Sequence, residues 1–294
     1  MLEIPRRKLL GMTMAVFGFF YDVIRDGTVM GTHLIRCRQW FDGYTRGFLT
    51  GDDALDLPLQ VKIEHTAEVQ ANMARLATAL DGSAEDRVLA EMAGLLHDVG
   101  RFPQYRRYHT FRDSASVNHA RLGLQEIGRH RVLDGLPTAA RRELAFAIAH
   151  HNAFVLPPHP DRRRVLLARM LRDADKLDIW RVFKTYYCDG RRLNATLDLD
   201  LADTPGYTPA ALESLRRGRM VRLADVHNRN DFKLLQIAWI HDLNLAPSFA
   251  LMRDQGHLAA LAGTLPRDPA LCRVVEDILD YAAARATDET PSNL

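Results

Sequence analysis

The sequence predicts an all-α protein. Apolar residues recur at three- and four-residue spacing along almost the whole chain, whereas period-2 alternation is confined to "ATLDLDLAD" (195–203). Capping and stop residues fall at the ends of the periodic stretches. The chain has 294 residues, 47% of them hydrophobic, enough for a large core.

The elements follow in order. Residues 32–49 form a helix carrying Trp40, Phe41 and Phe48. Residues 58–80 put Val69, Met73, Leu76 and Leu80 on one stripe. A third helix runs from Ser83 or Ala84 to His97, with Gly100 just beyond as a stop signal. Residues 110–128 are read as the next, with Asp113 and Ser114 as candidate caps. Residues 138–152 follow Pro137, starting from Thr138. The stretch 160–186 is apolar on more than one face, which predicts a central helix, and its charged start at 161–173 predicts a solvated face. Beyond about residue 188, Gly190, Pro205 and Gly206 mark loops. Helical patterns return at 208–217, 231–243, 246–262 and 269–286, giving roughly eight to ten helices in all. No linker divides the chain, so residues 31–286 are expected to form a single domain. Residues 287–294 form a polar tail expected to be disordered.

Composition narrows the function. Formal net charge is only +2, with 39 basic and 37 acidic residues, so there is no nucleic-acid patch and no basic membrane-binding surface. Cys37, Cys188 and Cys272 are isolated and odd in number, which argues against a disulfide framework and points to a cytoplasmic protein. The apolar run at 9–20 follows "RRK" like a signal-peptide core, but no convincing small-x-small cleavage site follows. Twelve residues are also too few to span a bilayer. Residues 1–30 are therefore expected to be an N-terminal extension or accessory helix.

The chemistry lies in an uneven distribution of histidine. Of twelve histidines, seven fall between residues 65 and 151. His65 lies on the Val69, Met73, Leu76 stripe, and His151 on the Leu144, Ala147, Ile148 stripe. Both face inward. Asp175 shares a stripe with Ala168, Leu171, Ile179 and Val182. A buried unpaired carboxylate costs several kcal/mol, so it needs a cation or a hydrogen-bond network. "LLHDVGR" (95–101) ends an apolar helix in an imidazole beside a carboxylate, His97 and Asp98. A lone inward histidine is ordinarily a hydrogen-bonded core residue, but inward His and Asp from several helices are how metal centres are built in bundles. Imidazole and carboxylate suit Mn, Mg, Fe, Co, Ni or Zn, and the absence of cysteine ligands argues against structural zinc.

The order His65, then His97–Asp98, then Asp175 in "RDADKLD" resembles the HD-domain superfamily of metal-dependent phosphohydrolases. The resemblance covers roughly residues 60–185 and is nearest to bacterial members of unassigned activity with "HDVGRF…TFRD…NHA…HN…RDADKLD". It implies an HD-domain helical bundle with additional N- and C-terminal helices. It also implies a divalent-metal cofactor, one ion or two. His65, His97, Asp98 and Asp175 would bind one metal. His119 and His151 stand where two-metal members carry extra histidines, with Asp98 bridging; His150 is the alternative to His151. A metal-bound water would attack phosphorus, with Arg101 and Lys176 as candidate phosphate-gripping residues beside Asp98, and Lys62 on an adjoining face. The implied partner is a small-molecule phosphomonoester or phosphodiester, with nucleotides among the candidates. "HHN" lacks the acid that follows the paired histidines in cyclic-di-GMP phosphodiesterases, and their GYP segment is missing. The same ligand order also resembles the di-iron oxygenases of the superfamily, and a nucleotide-sensing module with little turnover is a third reading. A second "HD", His241–Asp242, lacks downstream partners and reads as a helix end. His33, His159, His227 and His257 are expected at the surface, and His109 and His130 in loops or at the surface. Residues after 188 are expected to shape the substrate pocket or the contact of a homo-oligomer.

Overall fold

The computed structural model describes residues 29–189 and 201–287. The N-terminal extension up to residue 28, most of the alternating stretch and the polar tail from residue 288 lie outside them. The described residues contain twelve α-helices, and their β pairing is an isolated bridge between Ala202 and Asn228. The protein is all-α, as its periodicity predicts.

Helices α1 (Val29–Arg46), α2 (Asp53–Ala79) and α3 (Ala84–Leu96) begin the chain. Helix α2 starts earlier than its apolar stripe, because the Asp52 carboxylate accepts from the amides of Ala54 and Leu55. A reciprocal capping box, Ser83 with Asp86, opens α3. Helix α3 is buried on every side from Leu89 to Leu96. His97 caps it, and after a short turn α4 (Arg101–Tyr108) follows.

Two sequence expectations change here. Helix α4 is polar in sequence and buries only Phe102 and Gln104, which hides it from periodicity. Pro103 is tolerated in its first turn, where the amide has no helical partner. Residues 110–118 are not helical, apart from one 3-10 turn at Asp113–Ala115. Helix α5 (His119–Arg129) starts only at Asn118, whose side chain accepts from the Arg121 amide. The side chain of Gln104 replaces helical bonds in this loop by donating to Val117 O at 3.0 Å and Ser116 Oγ at 2.9 Å.

Helix α6 (Thr138–His150) precedes the long α7 (Arg162–Asp189). The C-terminal part holds α8 (Pro209–Arg216), α9 (Arg229–Ala238), α10 (Ala246–Gln255), α11 (His257–Ala262) and α12 (Pro269–Ala286). Gly256 adopts a left-handed φ of 66° and splits the stretch read as one helix at 246–262.

The apolar interior forms two clusters. One gathers α1–α6 and the first half of α7 up to Ala174; the other runs from Leu177 through α8–α12 to Ala282. Helix α7 threads both, and the change-over falls at Asp175 and Lys176. The polar face that interrupts the core therefore lies where the two clusters meet. The charged start of α7 is only partly the solvated face expected: Arg172 and Asp173 are buried, and Asp173 accepts from Asn244 N, Leu245 N and Ser248 Oγ. His33 is buried rather than exposed. All three cysteines are free. No helix among the described residues is long and apolar enough to cross a membrane.

Candidate metal centre

Helix packing brings the predicted residues to one place. Gly94 lies so close to α2 that a Cβ would meet Gln70 Cα at 2.8 Å, and this approach sets His97 beside His65. Gly100 performs the same service for α5. A Cβ there would stand 2.1 Å from His119 O and 2.5 Å from Gly123 N. The glycine is thus required by contact rather than by its φ of −66°, and the contact delivers His119 to Asp98.

Asp98 lies at the centre, buried, with its two oxygens facing different neighbours. Oδ2 is 3.7 Å from both His65 Nε2 and His97 Nε2. Oδ1 is 3.3 Å from His119 Nε2 and 3.8 Å from His151 Nε2. Two groups result, His65–His97–Asp98 and Asp98–His119–His151, each with ligand atoms within 4.8 Å of one another. Asp175 Oδ1 joins the first, 3.1 Å from His65 Nε2 and 3.8 Å from His97 Nε2. His151 rather than His150 reaches Asp98, for the His150 ring turns back to Phe146 O.

Every imidazole is pinned from behind. His97 Nδ1 donates to Gly94 O at 2.7 Å, and His151 Nδ1 to Ile148 O at 2.8 Å. His65 Nδ1 bonds Asp178 Oδ2 at 2.7 Å, and His119 Nδ1 bonds Asp113 at 2.8 Å. A carbonyl or carboxylate only accepts, so Nδ1 of each ring carries a proton and Nε2 is the nitrogen turned inward. The Nε2 atoms of His119 and His151 lie 2.9 Å apart, and those of His65 and His97 3.4 Å apart. Converging lone pairs repel unless a proton or a cation stands between them, so the donor set fits a divalent ion in each group.

Ionisation agrees with that fit. Burial lowers His97 to about 4 and, with Arg101 nearby, His119 to about 3, leaving both neutral and able to donate a lone pair. His65 differs. Burial and Lys62 oppose its charge, but Asp175 and Asp178 outweigh them and raise it to about 9. Burial also opposes ionisation of Asp98, yet the charged Lys62 and Arg101 hold it well below the usual carboxylate range.

Cations border the cluster. Lys62 Nζ is 2.8 Å from Asp98 Oδ2. Arg101 reaches Asp98 Oδ1 at 3.3 Å, Asp113 at 3.1 Å and Phe111 O at 2.6 Å, so it also braces the loop before α5. Lys176 points into an adjoining cleft, bonding Asp242 at 2.9 Å and Arg172 O at 3.1 Å.

Sequence reasoning missed four residues. Asp178 is three residues past Asp175 on the same helical face, a spacing that signals shared duty. Asp113, read as a cap, instead holds His119. Arg172 gathers the carbonyls of His150, His151 and Ala153 and bonds Asp242 at 2.7 Å. Asp242, from the second "HD", has contacts that pattern could not show, since they lie 66 and 70 residues back in the chain.

The class defined by this fold and site is an all-α protein with a buried His/Asp cluster fit for divalent metal. Residues 63–180 match the family model described as HD domain, which supports the resemblance of this segment to the HD-domain superfamily. No curated protein and no solved structure matches the chain.

Proposed function

We propose that the protein is a metal-dependent phosphohydrolase that cleaves a phosphomonoester or phosphodiester. The observation that carries this reading is Asp98, whose oxygens face separate histidine pairs, the arrangement a carboxylate needs to bridge two ions. His65, His97, Asp98 and Asp175 would hold one divalent ion; Asp98, His119 and His151 a second. Bound there, the metal supplies an activated water and neutralises charge on the phosphoryl group. Lys62 is placed to bind a phosphate oxygen, and Arg101 orients Asp98 while adding positive charge on the Oδ1 side. Lys176 would offset charge on the leaving oxygen from the adjoining cleft.

The test is metal analysis of protein purified without chelators, with a panel of phosphomonoesters and phosphodiesters. Expected are up to two ions per chain and phosphate release supported by Mn, Mg, Co or Ni. Asp98→Ala should lose both ions and all turnover; an unchanged metal content in that variant would sink the assignment. Iron with oxygen consumption and no phosphate release would move the protein to the oxygenases.

A further inference from the structure

A cleft of about 200 Å³ opens directly beside the candidate metal centre. His151 and Asp175, from the centre, are among its lining residues. Part of the lining comes from outside the matched HD segment: Met220, Trp239 and Asp242 belong to the C-terminal region. We propose that this cleft receives the organic group of the substrate, and that the group is a single planar aromatic ring system carried on phosphate. The inference rests on the phosphohydrolase reading for the phosphate, and on the cleft itself for the ring.

Three observations carry it. First, the lining is mixed. It combines Ile179, Met220 and the rings of Trp239 and Phe154 with the charged groups of Arg172, Lys176 and Asp242. Planar rings stack well on such surfaces. Second, Phe154 is 76% exposed although it lies only three residues past His151. An exposed ring at the edge of a cleft has a free face on which a ligand ring can stack. Third, Asp242 is satisfied on one oxygen only. Arg172 and Lys176 both reach Oδ2, and among the described residues no donor reaches Oδ1. An acceptor is thus left for an N–H or O–H on the ring's edge. Size sets the limit. Pockets for drug-sized ligands run to roughly 300–1,000 Å³, so this one takes one ring system and not a dinucleotide.

The test compares the affinities of Mn-loaded protein for phenylphosphonate, whose carbon–phosphorus bond a phosphohydrolase does not cleave, and inorganic phosphate by calorimetry, with phosphate release from phenyl phosphate measured separately. Wild type should bind phenylphosphonate about tenfold more tightly than inorganic phosphate. Met220→Trp, which fills the cleft, should bring that ratio to about one. Phe154→Ala, at an exposed position where folding is not at stake, should lower it about threefold. Equal affinities in the wild type, or a ratio that survives both substitutions, would overturn the proposal. Failure of both probes to bind would overturn it together with the phosphohydrolase reading. Discrimination between the probes without release of phosphate from any ester would leave the cleft assignment standing and remove the phosphohydrolase reading alone.

Discussion

Asp113 and Asp178 do the same work on opposite sides of Asp98, each fixing one imidazole through Nδ1. Partners of this kind commonly contribute 10–100-fold to metal affinity. Asp178→Ala should therefore weaken the ion held by His65 and His97 by about that factor, and Asp113→Ala the ion held by His119 and His151. Stepwise metal titration followed by elemental analysis separates the two, and equal losses at both sites would contradict the division. His65 adds a pH dependence. Its pKa of about 9 means that the metal-free protein carries a proton there at neutral pH. A metal ligand must be neutral, so binding expels that proton. About one proton per chain should be released near pH 7 and almost none above about pH 10, with affinity rising about tenfold per pH unit below about pH 9 and levelling off above it. Calorimetry in buffers of different ionisation heat counts the proton.

At the scale of the element, the turn from α3 to α4 decides whether the two histidine pairs meet. Gly100 touches the backbone of α5, and backbone cannot move aside as a flexible side chain can. Gly100→Ala should cost at least about 3 kcal/mol, read as a lower denaturant midpoint, and should weaken the His119–His151 site before the His65–His97 site. The elements differ in how far sequence revealed them. His65, His97, Asp98 and Asp175 were legible because each breaks an apolar helical stripe, and stripes report facing. Asp175 was separated from Asp173 by its place in "ADKL", which the family resemblance supplied, and the structure puts the two on different duties. Helix α4 was illegible because it is polar and short, with only two buried residues. The loop before α5 was misread because its apolar Phe111 and Val117 mimic periodicity while Gln104 supplies the hydrogen bonds. No local pattern records a bond made by a side chain from another element.

Across the whole molecule, α7 is the member shared by both apolar clusters, and each carboxylate of "RDADKLD" faces a different structure. Asp175 faces the candidate metal centre, Asp178 holds His65, and Asp173 holds the start of α10. Arg172 and Lys176 add two bonds to Asp242 just before that start. The C-terminal helices are thus fastened within one turn on either side of a candidate ligand. This explains how the cleft keeps its place beside the centre although Met220, Trp239 and Asp242 in its lining come from sequence far from the HD motif. Asp173 tests that fastening without touching the cluster. It is fully buried and accepts from the amides of Asn244 and Leu245 and from Ser248 Oγ. Removing it strands buried donors, each costing about 1–3 kcal/mol. Asp173→Ala should therefore lower stability by about 3–5 kcal/mol. Hydrogen exchange should show where: amides of residues 242–255 should exchange faster, while those of α3 keep their protection. The metal content of the variant should stay near wild type under conditions where it is folded, because none of the residues bonded to Asp173 approaches Asp98. If α3 lost protection together with α10, the two clusters would unfold as one cooperative unit and the fastening would not be local.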